Sequence, residues 1–402
     1  MSESRSLKPI KLIHITTVPQ SLHCFFHGQM GFMKKQGFNV VAISSPGAHL
    51  DSFAEREDIQ VVGLEISRKI TPLKDLRTLW NLWRLLRRLN PDIVHAHTPK
   101  GGLLGIIAAW MARIPIRIYH IHGLRYLTAE GLQRPILILT EKISCKLANR
   151  VLCVSNSIRE LVVQSKICPS GKIKTLLNGT INGIDAQNKF NPEKYPLDER
   201  DKIRKKYGIA PNSLVLGFVG RIVKDKGIAE LYDAWKSLRE EFPSLELLLA
   251  GPVETNDPLP VSLLDGLKSD SRIHMTGGLS DVAPIYAVTD IFVFPTYREG
   301  FGVVAIEASA MGIPVVATDI PGVVDAVVDG QTGVLIPPFD AIAIKNAVRN
   351  YLLDPSLRAM HGRAGRARVL DVFKQERMWS ALNDEYHSLL YEFAPDRVTN
   401  TV

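Results

Sequence analysis

The chain has 402 residues, 46% of them hydrophobic and 22% charged. That balance excludes collagen, coiled coil and intrinsic disorder, and the length exceeds what one hydrophobic core serves, so two domains are expected. The net charge of +8 conceals an asymmetry: residues 1–190 carry 26 Lys/Arg against 12 Asp/Glu, and residues 191–402 carry 23 against 29. A basic first half suits an anionic partner, whether phosphate, nucleic acid or an anionic membrane surface.

In chain order, the N-terminal MSESRSLKPIKLIHI runs into a strand-like segment without the charged, apolar and small-residue order of a signal peptide. KLIHIT (11–16), NVVAISS (39–45), DIVHAHT (92–98), RIYHIHG (117–123) and RVLCVS (150–155) are expected to be buried strands, with helices over 22–36, 73–89 and 134–149. Leu103 to Ala112 is the longest apolar stretch, too short for a bilayer, which takes about 20 apolar residues. Cys24, Cys145, Cys153 and Cys168 form no C-x-x-C pair and no metal spacing; they are expected to be reduced thiols of a cytosolic protein.

Residues 178–213, rich in Asn, Gly, Pro and charge, have the composition of a linker. The alternation then restarts with LVLGFVG (214–220), LELLLAG (245–251), RIHMTG (272–277), DIFVFPT (290–296), PVVATD (314–319) and TGVLIPP (332–338), and residues 374–392 read as a last helix. Strand and helix in alternation predict an α/β protein of two doubly wound, Rossmann-like domains, 1–190 and 191–373. In such sheets ligands bind beyond the carboxyl ends of the strands, and with two facing domains that means a cleft between them.

The stretch 292–319 is the richest in chemistry. A strand ends at Pro295, Glu299 precedes a short Gly-containing turn, a helix opens near Gly302, and Glu307 lies on that helix. Backbone N–H groups of Gly300, Phe301, Gly302 and Val303, with the helix dipole, would suit anionic or hydroxyl-rich groups. A side chain at Gly300 or Gly302 would keep a ligand off the backbone. Two glutamates beside an ordinary strand–helix turn, solvated and idle, are the competing interpretation. VGRIVKDKG (219–227) places Arg221 past a strand end and Lys226 before a helix opening at Gly227, where two cations can bridge a diphosphate. Its competitor is a surface loop whose cations pair with Asp225 and Glu230.

Together these two segments resemble glycosyltransferase family four, retaining enzymes of the GT-B fold. The resemblance rests on Glu-x(7)-Glu, here Glu299 to Glu307, with an upstream G-R-x(4)-K-G, here Gly220 to Gly227. CVSNSI (153–158) and NGID (182–185) resemble the end of the family's first domain, and the final helix 374–392 the one that crosses back to it. HTPKGGLLG (97–105), IHGLRY (121–126) and NGTINGID (178–185) are similar to bacterial capsular and exopolysaccharide transferases, which extend a sugar carried on undecaprenyl diphosphate. The resemblance implies a donor-binding second domain and an acceptor-binding first domain. Arg221 and Lys226 would hold the donor diphosphate, Glu307 the ribose hydroxyls, and Glu299 with the amides of Gly300 to Val303 the donor sugar. TGGLSD (276–281), with Gly278 and Leu279, would meet the base, expected to be uridine.

In the first domain His122 matches the family histidine that lies against the transferred sugar at the end of the fourth strand. His120 would point to the same face and is read as a core residue. Lys100 with Gly101 opens a helix at a strand end and could contact donor or acceptor phosphate, or be a plain loop lysine; Arg125 is a further acceptor-side candidate. Many family members carry a Gly-Gly pair after the first strand, whereas TTVPQSLHCFFHG (16–28) has no glycine before Gly28. Asp325 stands where the family often has glutamate.

No Asp-x-Asp occurs, which removes the usual carboxylate pair for a divalent ion; no metal and no cofactor are expected, the nucleotide-sugar being a substrate. The resemblance implies transfer of a hexosyl or N-acetylhexosaminyl group with retention by front-face attack, the leaving phosphate taking the acceptor proton with His122 assisting. Helix 75–91 carries Leu76, Leu79, Trp80, Trp83 and Leu86 at helical spacing, with Leu82, Leu85 and Leu89 widening that apolar face and Arg84, Arg87 and Arg88 near its end. It could lie in a membrane interface, although packing in the core is the expectation for an alternating domain. The expected partners are a nucleotide-sugar, a lipid-linked saccharide and an anionic membrane surface, for a peripheral protein on the cytoplasmic face. A sugar-nucleotide epimerase or hydrolase, or a non-catalytic partner subunit, are the alternatives; nucleic-acid binding ranks last because no aromatic-stacking or zinc motif accompanies the charge.

Overall fold

A computed structural model describes residues 9–69, 71–254 and 257–397. The N-terminal residues 1–8, on which the expectation about a signal peptide falls, lie outside the described residues. The chain divides into two compact units, Met1–Gly183 with Gln375–Val402, and Ile184–Lys374.

Seven parallel strands form the first unit's sheet: β1 (Lys11–Ile15), β2 (Asn39–Ser44), β3 (Gln60–Gly63), β4 (Ile93–His97), β5 (Ile116–Ile121), β6 (Arg150–Cys153) and β7 (Ile173–Thr175). Their order is β3-β2-β1-β4-β5-β6-β7. The second unit's six are β8 (Leu214–Val219), β9 (Leu245–Ala250), β10 (Ile273–Gly277), β11 (Ile291–Phe294), β12 (Val315–Thr318) and β13 (Gly333–Ile336), ordered β10-β9-β8-β11-β12-β13. Each sheet is doubly wound. The strand order reverses between β1 and β4 in one and between β8 and β11 in the other, and ligands bind beyond the carboxyl ends at such points.

Continuous apolar runs make these strands because helices cover both faces of the sheets. Leu214–Val219 and Leu245–Ala250 are almost wholly buried. The one carboxylate among them, Glu246, is satisfied by the Ala210 amide at 3.0 Å and His274 Nε2 at 2.6 Å. In the first unit the central strands bury histidines instead: His14, His95 and His97 have no exposed surface and His120 only 5%.

Several expectations are corrected. The helix anticipated over 22–36 is two helices, Pro19–Phe25 and Gln29–Lys35, broken at Gly28 with φ +78°. A Cβ there would lie 2.7 Å from the Trp379 ring, so glycine is required by conformation and by the packing of the last helix, Gln375–Phe393. The stretch read as a linker, 178–213, contains the helix Leu197–Tyr207. That helix buries only Ile203, too little to leave a periodic signal. Strands β3 and β7, of four and three residues, also escaped notice.

Helix Pro72–Leu89 turns Thr78, Leu82, Leu85 and Leu86 inward. Leu73, Leu76 and Trp80 are exposed by 85%, 64% and 53%, so Leu76 and Trp80 do not belong to the core-facing stripe. Among the described residues no helix is long and apolar enough to cross a membrane. None of the four cysteines is in a disulfide, and Cys145, Cys153 and Cys168 are buried.

Candidate active site

In the second unit the segment after β8 presses against the end of β11. Gly227 has φ +67°, and a Cβ there would fall 2.0 Å from the Pro295 carbonyl oxygen. This close approach brings Lys226, at the end of the 3-10 turn Lys224–Lys226, against the loop that follows β11. Its ammonium forms a tight ion pair with Glu299 and lies 3.5 Å from the Thr296 hydroxyl and 5.6 Å from the Phe294 ring centre. The two side chains are 13% and 19% exposed, so the pair is only partly screened by water.

Arg221, also beyond β8, is 45% exposed and pairs with Glu254 at 3.1 Å. The anticipated pairing of these cations with Asp225 and Glu230 is therefore replaced. Asp225 holds Arg298 at 3.0 Å, and Glu230 accepts from the Tyr297 hydroxyl. Arg221 and Lys226 instead hold glutamates that an incoming anion could displace.

Gly302 caps helix Val303–Ala310 in the left-handed region, with φ +72° and no side-chain cap. A Cβ at Gly302 would meet the Phe294 ring at an ordinary 3.4 Å. The backbone conformation, rather than a lack of space, is what asks for glycine. Phe301 is buried and packs edge-on against Phe373, ring centres 5.4 Å apart, which fixes the turn carrying Gly300 and Val303. Gly278 is exposed and Leu279 half-buried in the loop after β10.

Glu307 is half-buried on the same helix and accepts a 2.9 Å hydrogen bond from the Tyr286 hydroxyl. Burial pushes its carboxyl up to about 7, against the opposing pull of that hydrogen bond. If Glu307 receives ligand hydroxyls as a carboxylate, that form is lost as pH falls through 7. Donor KM is expected to rise between pH 8 and pH 6, and Glu307→Gln to raise it at pH 8 while abolishing its pH dependence; initial rates over that range measure both.

In the first unit the loop after β1 meets the loop after β4 through threonines. Thr17 and Thr98 hydroxyls lie 2.8 Å apart, and the Gly101 amide donates to Thr17 Oγ1 at 3.0 Å. A Cβ at Gly101 would crowd the Thr17 backbone nitrogen at 3.0 Å. Thr98 has φ +66°, an uncommon conformation for a β-branched residue and a local strain at the carboxyl edge. This bracket ties the loop after β1 to the loop after β4 through side-chain hydroxyls. Lys100 pairs with Asp75 at 2.7 Å and is 15% exposed, so its charge is held by helix Pro72–Leu89. Arg125 is exposed in the 3-10 turn Arg125–Leu127.

His122 follows β5, the fifth strand of its unit rather than the fourth, because β3 precedes it unanticipated. It is half-buried and stacks on Phe25, ring centres 4.8 Å apart. His120 lies beside it at 4.8 Å and is buried. Behind them stand three histidines that sequence reasoning did not single out: His14, His95 and His97. The signal was present in the period-two pairs His95/His97 and His120/His122, whose strands run in register with His97 opposite His120. Burial lowers all five, with repulsion from neighbouring histidines adding to it at His14, His95, His97 and His122; His14 and His120 fall to about 3, so the cluster is neutral near pH 7. Two triplets, His14/His95/His97 and His97/His120/His122, each hold ring nitrogens within 4.8 Å and could take a metal ion. Here ring nitrogens of these residues hydrogen-bond one another at 3.0–3.2 Å.

Comparison with known proteins adds findings of three kinds: family profiles, relatives and a solved structure. Residues 199–368 match the family profile of glycosyl transferases group 1, and residues 28–179 that of a glycosyl transferase 4-like domain. The chain is 35% identical over 386 residues to a capsular polysaccharide biosynthesis glycosyltransferase of Staphylococcus aureus, covering 96% of this chain and 99% of that one. It is 27% identical over 359 residues to an Escherichia coli UDP-Gal:alpha-D-GlcNAc-diphosphoundecaprenol alpha-1,3-galactosyltransferase, covering 87% and 90%. Among solved structures, Anabaena HepE in complex with UDP-glucose superimposes with a TM-score of 0.77 at 20% identity, over 94% of this chain and 100% of that one. That likeness shows the GT-B fold.

Proposed function

The chain belongs to the group 1 glycosyl transferases with a glycosyl transferase 4-like first domain, and from that premise we propose that it moves a sugar from a UDP-sugar to a polyprenyl-diphosphate-linked saccharide, with retention, in capsule, exopolysaccharide or O-antigen synthesis. The observation that carries the reading is the Lys226–Glu299 pair beyond β8 and β11, at the point where the strand order reverses. A donor diphosphate would take Lys226 from Glu299 and Arg221 from Glu254. The freed Glu299 carboxylate would then accept hydroxyl hydrogens of the sugar. One exchange thus couples phosphate binding to sugar binding.

The sugar nucleotide is already activated, so the protein's task is to orient the acceptor and stabilise the departing diphosphate. Arg221 and Lys226 supply that charge, aided by the dipole of helix Val303–Ala310 and the amides of Gly300 to Val303. Glu307 receives ribose hydroxyls, and Gly278 with Leu279 lie against the base. The first unit receives the acceptor, with His122, His120, Gly101 and Arg125 on its ligand side; Lys100 acts there only by leaving Asp75. In this reading the leaving phosphate takes the acceptor proton.

We further infer peripheral attachment to the inner face of the cell membrane. Helix Pro72–Leu89 exposes Leu73, Leu76 and Trp80 together with Lys74, Arg77, Arg84, Arg87 and Arg88. Apolar and basic groups together suit an anionic interface, each cation adding about 1 kcal/mol near the surface.

A panel of UDP- and GDP-sugars tests the chemistry, with the anomeric configuration of donor and product compared by NMR. Turnover of a UDP-sugar to a product of unchanged configuration is expected. Preference for GDP-sugars, or an inverted product, contradicts the assignment.

A further inference from the structure

The five histidines of the first unit form two hydrogen-bonded rows. In one, His14 Nδ1 lies 3.0 Å from His97 Nε2, and His97 Nδ1 lies 3.1 Å from His122 Nε2. In the other, the Tyr386 hydroxyl lies 2.7 Å from His95 Nδ1, and His95 Nε2 lies 3.2 Å from His120 Nδ1. A neutral imidazole has one N–H and one bare nitrogen. Each link therefore carries one proton, and fixing one end of a row fixes every tautomer along it.

Burial fixes the inner ends. His14 Nε2 is buried and has no hydrogen-bond partner. An orphaned buried N–H is rarer than an orphaned acceptor, so His14 keeps its proton on Nδ1 and donates to His97. His97 then donates from Nδ1 to His122 Nε2, which leaves the His122 proton on Nδ1. In the second row Tyr386 is fully buried and its phenol is held neutral by burial. Its hydroxyl donates to His95 Nδ1, since the opposite sense would strand the phenolic proton. His95 donates from Nε2 to His120 Nδ1, leaving the His120 proton on Nε2.

We propose that His14, His97, His95 and Tyr386 are positioning residues that hold His122 and His120 as a pair of N–H donors for an acceptor oxygen of the sugar–diphosphate substrate. His122 Nε2 and His120 Nδ1 each receive a hydrogen bond, and His122 Nδ1 and His120 Nε2 each carry a proton. No lone pair is open to take a proton, so neither ring serves as general base. The substrate half of this assignment rests on the glycosyltransferase reading of His122; the tautomer half stands on the hydrogen bonds alone.

Selective ¹⁵N labelling of histidine in the full chain, with long-range ¹H–¹⁵N spectra at pH 7.5 and His122→Gln and His120→Gln for assignment, reads the tautomers directly. The expected result is His122 protonated on Nδ1 and bare on Nε2, with His120 the reverse. His97→Leu should then give a mixed His122 tautomer and lower kcat by about 10- to 100-fold with donor KM little changed, as loss of a partner behind a functional histidine does. His97→Asn, whose amide can replace the lost Nδ1 donor, should recover most of that loss. A His122 proton on Nε2 in the unaltered protein, stoichiometric zinc bound to it after purification, or full kcat in a folded His97→Leu variant overturns the proposal. Correct tautomers together with unchanged turnover in His122→Gln would instead contradict the catalytic reading of His122 while leaving the rows intact.

Discussion

Lys226→Ala is expected to lower kcat by about 100- to 1,000-fold, the range seen when one preorganised donor to a developing anion is removed. Lys226 is only 13% exposed and sits where β8 and β11 part, so its charge acts in a partly water-excluded site. Arg221, 45% exposed and paired with Glu254, faces more solvent, and its removal should cost distinctly less. Nucleotide release at saturating donor and acceptor measures both. A loss below about threefold for Lys226→Ala would place the diphosphate elsewhere. The fold should survive, because Glu299 retains contact with the Thr296 hydroxyl at 3.4 Å.

Glu299→Gln is expected to lower kcat/KM by about 100-fold, and its combination with Lys226→Ala to cost much less than the two losses multiplied. Gln keeps the shape of the side chain but removes the charge that holds Lys226 when the site is empty and that receives sugar hydroxyls when it is full. The two residues touch directly, so each single substitution already disables the exchange on which both depend. Initial rates for the two single variants and the double variant complete the cycle. Independent, multiplying losses would mean that Lys226 and Glu299 act on separate parts of the substrate.

The architecture was legible because buried parallel strands declare themselves as continuous apolar runs, as in LVLGFV and LELLLA. Elements that bury little did not: helix Leu197–Tyr207 reads as linker because only Ile203 faces inward, and β7 has three residues. The direction of a helix face was misjudged at Leu76 and Trp80, since apolar spacing alone does not say which side meets the sheet. At the site, glycines and charges marked the loops after β8 and β11, but their partners were not readable. Lys226 holds Glu299, 73 positions away, and Arg221 holds Glu254, 33 away, contacts that only tertiary structure supplies. The histidine rows were half legible: each period-two pair shows one face of one strand, while their assembly depends on the order β1-β4-β5.

Acceptor-dependent nucleotide release tests the central claim most directly. Purified protein is given its UDP-sugar with and without polyprenyl-diphosphate-linked saccharide extracted from membranes. UDP released only when the lipid-linked saccharide is present, with the sugar recovered on the lipid, is the predicted result. Equal release without the lipid would mark a hydrolase, and donor consumed without UDP release an epimerase; either would contradict transfer to a lipid-linked acceptor.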